Sequence, residues 1–133
     1  MATTVTYSND VVRQKPDFKS VSADTTLTLA DNGKTILLGG TSGAYAVTLP
    51  AVKDGLSFKF IVSSVSSGVR TISATTAVIQ GTVVASGSSV AGVNETNIAL
   101  SASSKVGDII EVISDGTNFY LNGIAQGATV TLT

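Results

Sequence analysis

The chain has 133 residues and a mass of 13.4 kDa, a size at which a single domain buries roughly two-thirds of its unfolded surface. Its net charge of −1 comes from scattered residues and only 13% of the chain is charged, about half the usual share, so it has no electrostatic footprint for nucleic acid and no polybasic membrane patch. It contains no cysteine, histidine or tryptophan, which removes disulfides, thiolate nucleophiles, Cys-ligated zinc and a histidine base from consideration.

Residues 1–20 hold Arg13, Lys15 and Lys19, one of the two prolines and no glycine. Neither a 2.0 nor a 3.6 period runs through them, so this segment is expected to be an extended arm, with a single β-domain over 21–133. Val5, Tyr7, Val11, Val12, Arg13 and Phe18 are its candidate contact residues, because an extended segment can add main-chain hydrogen bonds to an exposed sheet edge. The first ten residues lack the positive start and hydrophobic run of a secretion signal, so synthesis in a cytoplasm is expected. No apolar stretch approaches the roughly 20 residues of a membrane span.

From Val21 onward a turn signal arrives roughly every ten residues, the rhythm of an all-β sandwich or barrel. The turns are Asp31-Asn32-Gly33, Ser42-Gly43, Asp54-Gly55, Ser67-Gly68, Ser86-Gly87, Asp115-Gly116 and Asn122-Gly123. Between them the pattern predicts strands over 25–29, 34–38, 45–49, 57–63, 69–73, 77–85, 96–100, 108–114, 117–121 and 128–133. Runs such as Thr26-Leu27-Thr28-Leu29 and Ala46-Val47-Thr48-Leu49 alternate aliphatics with small polar or methyl side chains, as half-buried antiparallel strands do. The Ser-rich stretches 63–68, 86–89 and 101–104 read as loops.

The segment 108–123 reads as a hairpin, with Asp115-Gly116 supplying the positive φ angles of a tight type I′ turn. Its first strand, Ile109 to Ile113, is apolar on both faces except at Glu111, so both faces are expected to be covered, one of them by another subunit. Ile110, Glu111 and Val112 are therefore candidate subunit-interface residues, with Arg70 as the expected partner of Glu111.

Chemistry-bearing patterns are weak. Asp31, Asp54 and Asp115 sit in or before glycine-containing turns, where Asp forms local hydrogen bonds. Asp108 and Glu111 are three apart, which places them on opposite faces of a strand and forbids a carboxylate dyad. No loop gathers the oxygen ligands of a calcium site, and Gly39-Gly40 with Ser42-Gly43 lacks the lysine and helix of a phosphate loop. The chain is expected to be no enzyme and to use no cofactor. Sparse charge and abundant Ser and Thr suggest a surface that packs on other protein.

Across roughly residues 22–125 the chain resembles a small β-domain that recurs in virion proteins of tailed bacteriophages. The resemblance is carried by Asp31-Asn32-Gly33-Lys34-Thr35, by Val47-Thr48-Leu49-Pro50, by Ser57-Phe58-Lys59-Phe60-Ile61-Val62 and by Ser114-Asp115-Gly116-Thr117-Asn118-Phe119-Tyr120. Phe119 stands where such domains often have Trp. The resemblance implies a structural module of the particle, commonly trimeric, found in head decoration (cement) proteins and in tail fibres. A nearly bare domain with a short arm favours the decoration type: a homotrimer on the outer capsid surface of the virion that stabilises the head and touches the major capsid protein through its arms. The alternative is a tail-fibre or receptor-binding module recognising a host surface glycan.

Overall fold

The computed structural model describes the backbone of residues 6–8 and 11–13, and residues 16–127 and 129–133 in full. Two short strands, β1 (Thr6–Ser8) and β2 (Val11–Arg13), pair antiparallel. Twelve further strands form two sheets packed face to face: β3 (Phe18–Val21), β4 (Thr25–Thr26), β5 (Thr35–Leu38), β6 (Tyr45–Thr48), β7 (Asp54–Val62), β8 (Arg70–Ser73), β9 (Ile79–Ala85), β10 (Ser88–Glu95), β11 (Asn97–Leu100), β12 (Ile109–Asp115), β13 (Phe119–Ala125) and β14 (Val130–Leu132). The larger sheet has the order β10-β9-β13-β12-β7-β5-β3 and the smaller β14-β11-β8-β6-β4. The chain is an all-β sandwich.

The first half winds between the layers. Each passage through one sheet is followed by a strand in the other, so β3, β5 and β7 run parallel to one another, as do β4, β6 and β8. The sheets are thus mixed rather than purely antiparallel. Alternation along a strand records which face is buried and is blind to direction, and here the crossover that parallel pairing needs is a strand of the opposite sheet.

The inward faces meet in one core. From the larger sheet come Ile36, Leu38, Phe58, Phe60, Val62, Ile79, Val83, Ile110, Val112, Phe119 and Leu121, and from the smaller Tyr45, Val47, Ile72, Ile98, Leu100 and Val130, all buried. Parallel pairing of β9 with β13 requires a glycine at 81, whose φ is +135° and where a Cβ would collide with the Leu121 carbonyl.

Turn chemistry departs from the sequence reading at three places. The 108–123 hairpin closes with Ser114 opposite Phe119, and Asp115 keeps an ordinary backbone because its Oδ1 accepts the N–H groups of Thr117 and Asn118, each at 2.8 Å; only Gly116 has positive φ. The two-residue turn with positive φ at both positions is instead Ser86-Gly87 (+50° and +81°), which joins β9 to β10 where a loop over 86–89 was expected. The strand expected over 25–29 ends at Thr26. There the Thr28 N–H donates to Asp31 Oδ2 (3.0 Å), which starts a 3₁₀ turn at Leu29–Asp31.

Candidate functional site

Strand parity decides what the sandwich leaves outside. On the larger sheet the outward residues of neighbouring strands lie in register across the ladder. One row runs Leu37–Ile61–Ile109–Ile124–Val84 from β5 to β9, every member aliphatic. The next row runs Phe18–Thr35–Lys59–Glu111–Asn122–Thr82, and a third contains Ser57, Ile113, Tyr120 and Gln80. Ile124 is 61% exposed, Ile113 55% and Val84 44%, an unusual concentration of solvent-facing aliphatics on one sheet.

Lys59 and Glu111 face each other across the β7–β12 ladder with Nζ 3.1 Å from Oε1, both part-exposed. Two shallow depressions flank Glu111. One of about 380 Å³ is lined by Gly107, Ile109, Asn122, Gly123, Ile124 and Gln126; the other, of about 290 Å³, by Lys34, Thr35, Ser57, Lys59 and Ile113 among others.

The expected interface residues separate. Glu111 lies on the outward face, but Ile110 and Val112 point inward and are buried in the protomer. Arg70 does not partner Glu111. It shares the inward face of β8 with Ile72, in a row between Tyr45 and Leu100, and is 1% exposed. Its Nη2 donates to the Gly40 carbonyl at 3.0 Å and the Ser64 carbonyl at 2.7 Å, pinning the glycine bend to the 63–68 loop, while Nε is buried with no partner among the described residues. Tyr45 beside it donates to the Gly39 carbonyl (2.9 Å); burial pushes its phenol up, against the opposing pull of the Arg70 charge. In the Arg-Thr-Ile-Ser run of β8, parity with Ile72 was the available signal that residue 70 points inward.

Of the arm candidates, Val5 lies outside the described residues, and for Tyr7, Val11, Val12 and Arg13 only backbone is described. Phe18 belongs to β3 rather than to a free arm. It is 56% exposed at the edge of the larger sheet, on the same outward face as Lys59.

The carboxylates are placed for structure. Asp31 is buried where Lys19 Nζ (2.9 Å) and Lys34 Nζ (3.1 Å) reach it from either side. Burial opposes its ionisation, but the Thr28 N–H and the two ammonium groups outweigh that and hold its pKa down at about 2. Asp108 accepts from the Lys105 N–H (2.9 Å) and the Gln126 N–H (2.8 Å), facing the side opposite to Glu111 as strand parity requires. The backbone N–H groups of Asn118 and Thr117, with the Tyr120 hydroxyl, hold the exposed Asp115 below the usual carboxylate range. Among the described residues, no three of His, Cys, Asp and Glu gather where they could hold a metal ion, and no helix is long and apolar enough to cross a membrane.

No family model matches the chain, and neither the curated proteins nor the solved structures yield a match.

Proposed function

We propose that this chain is a structural protein of a phage particle, a decoration protein that binds the outer capsid as a homotrimer and transforms no molecule. The reading rests on the resemblance over residues 22–125 and on one observation of the fold: an aliphatic row crosses five strands on the outside of a chain that has little charge with which to keep that face solvated. Such a face finds its stable state against protein. A trimer presents three footprints to a capsid, and linked footprints raise avidity even when each interface is modest. The N-terminal segment, with Val5, Tyr7, Val11, Val12 and Arg13, supplies the capsid contact, and Phe18 stands where it enters the sandwich.

The glycan-binding alternative is less well supported. Sugar sites use aromatic platforms, and the two exposed aromatics described, Phe18 and Tyr120, stand on β3 and β13 at four strand spacings, roughly 19 Å at about 4.8 Å each. Removal of residues 1–15 leaves β3 and the sandwich whole. The truncated protein should fold, keep its solution mass per oligomer of shortened chains, and lose binding to capsids in a co-sedimentation assay. Unimpaired decoration by the truncated protein would refute the arm as the capsid contact, and binding to isolated host surface glycan with none to capsids would favour the alternative.

A further inference from the structure

The outward face of the larger sheet has a pattern that selects its occupant. Its middle row holds one cation and one anion side by side, Lys59 and Glu111, and one of the two adjoining rows is aliphatic from β5 to β9. The pair sums to zero charge, so the face offers no net attraction to a polyanion or to an acidic or basic partner. It is complementary to itself: a copy turned about an axis along the strands brings its Lys59 edge to the Glu111 of its neighbour, with aliphatic row against aliphatic row. Five strands at about 4.8 Å and three outward rows at roughly 6.8 Å give about 500 Å² in flat projection. Side-chain relief carries that toward the roughly 600–800 Å² per partner of a stable interface.

We propose that this face, centred on Ile109, Ile124 and the Lys59–Glu111 pair, is the surface through which copies of this chain pack on one another. The number of copies rests on the trimeric reading above; the face does not. Within the assembly the Ile61–Ile109–Ile124–Val84 row forms a dry layer, and Lys59 of each copy meets Glu111 of the next.

The chain has no cysteine, so a single introduced thiol is a unique probe. Ile124 on the face and Val106 in the loop before β12 are matched in the protomer, 61% and 63% exposed. Ile124→Cys and Val106→Cys variants are each labelled with a maleimide while light scattering reports mass. The expected result is a multiple of the protomer mass, with labelling at 124 slower than at 106 by tenfold or more and recovering on dilution to single chains. Equal labelling rates in an oligomer would overturn the face and leave the trimer standing. A wild-type protein of single-chain mass at all concentrations would overturn both. Should Ile124→Cys fail to fold by circular dichroism, Val84→Cys, 44% exposed and in the same row, takes its place with the same outcomes.

Discussion

The two outward faces of the sandwich are built by the same alternation and end up chemically opposite. On the smaller sheet the outward rows are Thr48–Ser73–Asn97–Thr133 and Ala46–Thr71–Ala99–Thr131, short side chains with hydroxyls bonded locally, as Ser73 Oγ donates to Asn97 Oδ1 at 2.8 Å. On the larger sheet the corresponding positions hold Leu37, Ile61, Ile109, Ile124 and Val84 beside one ion pair. A strand needs only its inward residues to fold. What it sets outside is free to vary, so the aliphatic face is informative where the hydroxyl face is not.

Both faces are backed by one core, and breaking it gives the largest effect. Phe58 is 1% exposed on β7 beneath the aliphatic face, and Phe58→Ala should cost about 3–5 kcal/mol in denaturant unfolding, melting both sheets in one transition. Two separate transitions would mean that the sheets are independent and the comparison of their faces is misplaced.

Next in size is the pin at the 3₁₀ turn. The Asp31 carboxyl has a folded pKa of about 2 against an ordinary 3.8, so its contribution is complete above roughly pH 4 and is lost as pH falls through about 2. Unfolding followed between pH 5 and pH 2 should show a loss on the order of 2 kcal/mol that is absent in Asp31→Asn. An unchanged acid dependence in that variant would assign the loss to other groups.

Inside the smaller sheet, Arg70→Met keeps the stem and removes the donor to the Gly40 and Ser64 carbonyls, with an expected cost of about 1–3 kcal/mol. A variant as stable as the parent would show that water satisfies those carbonyls equally well. The outward substitutions come last. Making the aliphatic face resemble the other, by Ile109→Thr with Ile124→Thr, should change protomer stability by less than about 1 kcal/mol while lowering solution mass. Lys59→Ala should cost at most about 0.5 kcal/mol within the protomer, as exposed ion pairs do. A large loss from either in a single chain would show that the face holds the protomer itself together.

Local chemistry was legible in the sequence, and partnership was not. The glycine turns and the aliphatic-in alternation of Ala46-Val47-Thr48-Leu49 announce an all-β sandwich or barrel, and the opposite facing of Asp108 and Glu111 follows from parity alone. Strand β10 was missed because Val90-Ala91-Gly92-Val93-Asn94-Glu95 is an edge strand with a register shift between Gly92 and Glu95 and no alternation to read. The parallel pairs were missed because direction is fixed by which sheet each crossover enters. Arg70 and Glu111 were joined by charge when their strands lie in different sheets, Arg70 facing the core and Glu111 facing out. For the candidate face, the sequence showed that Ile109 to Ile113 is apolar on both sides. Only register across β5, β7, β12, β13 and β9 lines its outward residues up with Leu37, Ile61, Ile124 and Val84.

Light scattering on the full-length protein over a wide dilution series tests the central claim most directly. A face of this composition predicts a particle of more than one chain, three times 13.4 kDa on the trimeric reading, that persists to low concentration and dissociates when Ile109 and Ile124 are both replaced by Thr. A 13.4 kDa particle at every concentration, with the aliphatic row permanently in water, would contradict it.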